Sequence, residues 1–173
     1  ILLTLLNNFL KIYIRHELSY FGIRWNFILF RGQFVHLISK TGRVSIPSKF
    51  RENLKKVYKT SNIIITLFEN CLSCYPLPEW EKLEKKILKL PRFKKDTVDF
   101  ERHLIGNANE CEIDTEGRIN IPQILRKDLG LSKNLIFVGL LSRFEIWSEK
   151  SWNINSKNSF KKFQKSRDVL DGI

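Results

Sequence analysis

ISKTGRVSIPSKFRENL, residues 38–54, returns 75 positions later as IDTEGRINIPQILRKDL, residues 113–129, without a gap. Seven of the seventeen positions are identical: Ile38/Ile113, Gly42/Gly117, Arg43/Arg118, Ile46/Ile121, Pro47/Pro122, Arg51/Arg126 and Leu54/Leu129. Unrelated segments would share about one, so a duplicated unit is the first architecture to test. Farther on, Ile63, Ile64 and Ile65 match Leu135, Ile136 and Phe137, and Tyr75 and Trp80 match Trp147 and Trp152, now at a spacing of 72. The first copy has the longer loop.

Each copy reads as one supersecondary unit. A strand over 33–39 or 109–114 enters a turn at Gly42 or Gly117, where glycine accepts a positive φ without a Cβ penalty. A second strand leaves through Arg-Val-Ser-Ile or Arg-Ile-Asn-Ile and stops at Pro47 or Pro122. Proline cannot donate to a ladder but suits the first turn of a helix. The short helix that follows stacks Phe50 on Leu54, or Leu125 on Leu129, four apart on its buried face. β-rich segments at 62–68, 71–75, 134–140 and 143–147 complete the copies. Between them, Pro78 opens a helix with an apolar stripe of Trp80, Leu83, Ile87 and Leu90, while Lys82, Lys85, Lys86 and Lys89 face away and Pro91 ends it. A second helix around 97–105 carries Val98, Phe100, Leu104 and Ile105. The expected organisation is an extension over 1–28, repeats over 33–80 and 108–151, a helical connector over 81–105, and a loosely held basic tail over 153–173 with helix around Phe160 and Phe163.

Composition bounds the partners. The chain has 173 residues, which allows one domain or two small ones and excludes a large multidomain enzyme. With 43% apolar and 12% aromatic residues it can bury a core. A net charge of +12 and a pI near 9.8 attract polyanions such as nucleic acid or an anionic membrane. Three cysteines, Cys71, Cys74 and Cys111, are too few for a disulfide framework and fit a reducing cytoplasm. Residues 1–14 are greasy, but Asn7, Asn8 and Lys11 interrupt them short of the roughly 18 apolar residues a span needs. They also lack the flanks of a signal peptide.

Nothing in the sequence assembles an active site: there is no nucleophile motif, phosphate-cradling glycine loop, metalloprotease motif or supported acid pair. No enzyme and no cofactor is expected. Cys71-Leu-Ser-Cys74 has metal-ligand spacing, with His103 and Cys111 as conceivable partners, yet the repeat places Cys74 opposite Ile146 in a core strand, so no metal site is expected. His36 reads as a strand residue.

The stretches FRGQFVHLISKTGRVSIPSKFR, CLSCYPLPEWEKLEKK, GNANECEIDTEGRINIPQILR and VGLLSRFEIWSEKSW resemble, in that order, the bacterial MraZ family over about residues 30–152. The resemblance implies an α+β, β-rich fold: two pseudo-symmetric SpoVT-AbrB (swapped-hairpin) repeats forming one compact barrel-like unit with connecting and C-terminal helices. It implies a transcriptional regulator that assembles as a ring and binds short direct repeats upstream of the division and cell-wall gene cluster, in the cytoplasm at the nucleoid. The family's Asp-x-x-x-Arg signature is intact as Asp114 to Arg118, whereas Ser39 replaces the first Asp and leaves Arg43 freer to reach outward. Because such proteins begin near the position of Leu29 or Phe30, residues 1–28 are expected to be upstream translation. Mass spectrometry finding Ile1 at the native terminus would remove that expectation.

Charge separates the copies. Residues 31–78 hold eight Lys and Arg against two Glu, a balance of +6; residues 106–152 hold six against seven acids, a balance of −1. DNA contact is therefore expected at Lys40, Arg43, Lys49 and Arg51, with Arg118 and Arg126 in the second copy, and Arg43 leading because its fork can pair with guanine or phosphate. Each has a plainer reading: Arg118 as an internal ion pair with Asp114, Arg51 and Arg126 as partners of carbonyls or solvent, and Lys55 and Lys56 as a solvated face. Gly42, Gly117, Pro47 and Pro122 are structural. Two rivals stand beside DNA regulation: an AbrB-like antitoxin or protein-interaction module, and a membrane-surface protein using residues 1–28 and the tail.

Overall fold

The computed structural model describes residues 29–165. The expectations for residues 1–28, and the part of the tail over 166–173, lie outside them.

The two proline stops shape the chain. In the first copy, β1 (Gln33–Leu37) turns into β2 (Arg43–Ser45), Pro47 ends it, and helix α1 (Ser48–Asn53) follows directly. In the second copy, β5 (Asn109–Glu112), β6 (Arg118–Asn120), Pro122 and α4 (Gln123–Asp128) repeat the sequence of events. Hairpins β3 (Asn62–Phe68) with β4 (Cys71–Pro76) and β7 (Asn134–Leu140) with β8 (Arg143–Ser148) complete the units. The connector helices are α2 (Leu77–Ile87) and α3 (Lys95–Leu104), and α5 (Glu149–Lys165) closes the described chain.

The copies exchange strands. The larger sheet runs β1-β7-β8-β4-β3-β5, with every neighbouring pair antiparallel, so the first strand of each copy lies on the hairpin of the other. Leu37 faces Asn134 and Glu112 faces Asn62, the same register on both sides. The short strands β2 and β6 form a separate ladder with each other, Val44 opposite Ile119, and a single bridge links Val44 to Ile38. The architecture is thus α+β, with an open six-stranded sheet and a two-stranded ribbon. Among the described residues no ladder joins the edges β1 and β5.

The repeat dictates the core. Val44 and Ile119, Ile46 and Ile121, Phe50 and Leu125, Ile65 and Phe137, and Leu72 and Phe144 are equivalent pairs, all buried in one cluster. Phe30 sits at its centre, fully buried, with ring centroids 5.3 Å from Phe50, 5.2 Å from Phe144 and 5.9 Å from Tyr58. The matched aromatics form matching contacts: Tyr75 with Trp80 at 5.5 Å, and Trp147 with Trp152 at 5.7 Å.

Boundaries differ from expectation at three places. Strands β1 and β5 end before Ser39 and Asp114, because the backbone N–H of each donates across the turn to the carbonyl of Arg43 or Arg118. Helix α2 stops at Ile87, after which short-range bonds such as Leu90 N–H to the Ile87 carbonyl turn the chain and leave Leu90 exposed. The expected tail is helical from Glu149 to Lys165, started by Ser148, whose Oγ accepts the Ser151 N–H, and pinned by Trp152 on Trp147.

Candidate nucleic-acid interface

Alternation on a two-stranded ribbon sends successive side chains to opposite faces. Val44 and Ile119 point into the core, so Arg43, Ser45, Arg118 and Asn120 share the outer face. Arg43 lies opposite Asn120 and Ser45 opposite Arg118, which sets the two guanidinium-bearing residues on a diagonal across the pseudo-twofold axis. A shallow groove of about 410 Å³ borders them, touching Thr41, Arg43, Ser45 and Arg118.

The two arginines differ in freedom. Asp114 Oδ1 accepts the backbone N–H groups of Arg118 (2.8 Å) and Glu116 (3.0 Å), and its Oδ2 accepts Arg118 Nε at 3.0 Å. Those bonds, led by the Arg118 backbone N–H, hold the Asp114 carboxyl below the usual range; the same side-chain bond raises Arg118. Glu116 is a second partner of Arg118. In the first copy Ser39 Oγ accepts the Arg43 N–H at 3.0 Å and meets Thr41 Oγ1 at 2.9 Å, reproducing the turn bond without the ion pair. Arg43 is exposed and makes no ion pair among the described residues. Lys40 on the turn and Lys49 on α1 are also exposed.

Arg51 and Arg126 take another place. Each reaches across to the turn of the other copy: Arg51 donates to the Glu116 carbonyl at 3.3 Å, and Arg126 donates to the Lys40 carbonyl at 3.4 Å while its Nε donates to the Ile121 carbonyl of its own copy at 3.0 Å. Each guanidinium lies against the opposite turn glycine. A Cβ on Gly42 would stand 2.7 Å from Arg126 Nε, and one on Gly117 2.6 Å from Arg51 Cζ. Both glycines have positive φ, +96° and +78°. The carbonyls of Gly42 and Gly117 in turn accept the N–H groups of Ile121 and Ile46. Two of the identical pairs, Gly42/Gly117 and Arg51/Arg126, therefore form two reciprocal clasps.

The cysteine pair is divided by its strand. Three residues apart on β4, Cys74 enters the main core while Cys71 packs with Ile136 and Trp147. Burial raises all three thiols, Cys111 to about 11. His36 on β1 stands edge-on to Phe137 at 5.4 Å, lowered first by burial and then by Arg51. Among the described residues no group of three or more His, Cys, Asp or Glu is placed to hold a metal ion. Two outer-face residues, Ser45 and Asn120, were not singled out from the sequence. Their signal was the period-two alternation around Val44 and Ile119, hidden because the strands are only three residues long.

Known proteins resemble the chain along nearly its whole described length, and they are regulators of transcription rather than enzymes. A 38% identical protein from Syntrophobacter fumaroxidans, named transcriptional regulator MraZ, aligns over 83% of this chain and 95% of itself. Proteins of the same name from Caldanaerobacter subterraneus subsp. tengcongensis (40%, over 82% of this chain and 96% of that protein) and Caldicellulosiruptor saccharolyticus (44%, over 70% and 82%) agree. The family described as MraZ protein, antitoxin-like, matches twice, at residues 29–103 and 104–171. The chain belongs to the MraZ family. No helix among its described residues is long and apolar enough to cross a membrane.

Proposed function

We propose that this protein is a sequence-specific DNA-binding regulator whose outward ribbon, led by Arg43, contacts operator DNA. What carries the reading is the asymmetry on that ribbon: an unpaired guanidinium in the basic copy beside a braced one in the acidic copy. A major groove admits a two-stranded ribbon, and arginine and asparagine there can pair with guanine and adenine edges. Arg43 and Asn120 then read bases, Lys40 and Lys49 meet phosphates, and Arg118 contributes through whatever donors Asp114 leaves free. Arg51 and Arg126 support from behind. In this reading the repeats at 33–80 and 108–151, joined by 81–105, are swapped-hairpin SpoVT-AbrB units.

The same reading has the protein act in the cytoplasm at the nucleoid, on direct repeats in its own upstream region before the division and cell-wall genes, as a ring of identical subunits. The edges β1 and β5, unpaired among the described residues and at opposite ends of the sheet, support head-to-tail association, and Val35 and Leu37 expose 60% and 73% of their surface beside the β1 edge. Neighbouring boxes would then add avidity to weak single contacts. The curated relatives' name supports regulation.

Replacing Arg43 by Ala is expected to weaken binding to the upstream fragment by about 1–3 kcal/mol, with unchanged melting. A gel shift equal to that of the unaltered protein would refute the role. Sizing in solution by light scattering tests the ring, for which a lone subunit is the contrary result.

A further inference from the structure

The equivalence between the copies slips from 75 to 72 between Leu54 and Asn62, so the first copy carries three extra residues there. The first copy has a five-residue π-helical turn there, Leu54–Tyr58, where the second copy passes straight from α4 toward β7. Such turns are rare and concentrate at functional sites. The insertion ends on Lys59 in the left-handed region, φ +49°. At the corresponding helix end the second copy has Gly130, φ +59°, which adopts that conformation without strain. Lys59 thus holds a left-handed conformation that glycine would take without strain, as Lys133 does just before β7.

Lys59 borders a cleft of about 640 Å³ between the insertion and the turn of the second copy. Arg51, Lys55, Thr60, Ser61 and Asp114 also line it. Lys56 is paired with Glu52, but Arg51, Lys55 and Lys59 form no ion pair among the described residues, and Arg51 Nε is buried without a partner. The one carboxylate, Asp114, is already engaged by Arg118. In the second copy Gly130 stands at the place of Lys55, and the equivalent cleft has Lys133 and Lys40 at the places of Ser61 and Thr115, so its cations sit on other elements. We propose that this cleft binds a phosphate group, held by Lys55, Lys59 and Arg51 with the Thr60 and Ser61 hydroxyls beside them. The source is either the DNA backbone or a small phosphorylated ligand.

The test uses the full chain and pyrophosphate, titrated calorimetrically against sodium chloride of equal ionic strength. Binding beyond the chloride control is expected, and Lys55→Gln and Lys59→Gly should each weaken it roughly tenfold, the loss of one charge-assisted contact. Lys59→Gly should also melt no lower than the unaltered protein, because it relieves the backbone, which separates the lost charge from a lost fold. No pyrophosphate signal above chloride, or equal affinity in both variants, overturns the proposal. Salt dependence of Lys59→Gly binding to the upstream fragment identifies the source. A slope smaller by about one places a DNA phosphate in the cleft, and an unchanged slope places a free ligand there. The pyrophosphate titration contains no DNA, so its outcome is independent of the operator reading.

Discussion

Asp114 gathers two backbone N–H groups and one guanidinium around an exposed carboxylate, and its folded-state pKa is lowered accordingly. A depressed carboxyl contributes stability that is fully present above its unfolded value, roughly pH 4, and lost as pH falls through the folded value. Asp114→Asn should therefore melt below the unaltered protein at neutral pH, and the gap should narrow on acidification through the range below about pH 4. A gap constant from pH 7 to pH 2 would contradict this. Ser39 supplies the same turn bond with no charge, so the first turn should show no comparable acid response when Ser39 is changed to Ala. Such details were half legible in advance. The Asp114 and Arg118 spacing pointed to an ion pair as one of two readings, whereas the reach of Arg51 and Arg126 across to the other copy depends on tertiary exchange that no local pattern encodes.

At the scale of elements, the clasps couple each turn to the helix of the opposite copy. Gly42→Ala and Gly117→Ala are expected to cost about 1–3 kcal/mol each, from the left-handed backbone alone and more where the guanidinium cannot move. Thermal or urea unfolding of Gly42→Ala, Arg126→Ala and the double variant separates the two contributions. The double variant should lose less than the sum of the single ones, since removing Arg126 relieves two of the three close contacts of the new Cβ and leaves the Ile121 carbonyl oxygen at 2.9 Å. Strict additivity would mean that the two residues are not in contact. The elements themselves followed closely from proline, glycine and apolar spacing, because those residues act within a few positions. Helix α2 departed from that pattern: its stripe continues to Leu90 in sequence, but the chain turns after Ile87 toward Pro91, whose ring bars helix at the residue before it.

For the whole molecule, Phe30 joins regions that lie far apart in the chain. Its ring touches Phe50 and Tyr58 from one copy and Phe144 from the other, and its backbone pairs with Leu141. Phe30→Ala should destabilise the protein by about 3–5 kcal/mol, read from urea midpoints, because the cavity is walled by ladders that cannot collapse into it. A loss below about 1 kcal/mol would show that the site repacks. The duplicated sequence announced two similar units, yet which strand lies on which hairpin depends on pairings far apart in the chain, such as Gln33 with Val138 and Ile65 with Asn109.

That interlocking has an evolutionary corollary. A twofold assembly made from separate identical chains must repeat every substitution on both sides of its axis, so neither side can specialise. Once the two halves share one polypeptide, the constraint is lifted: one half can carry the cations and the longer turn while its sibling carries the carboxylate. Symmetry survives here where atoms must pack, and is broken where the molecule meets its surroundings.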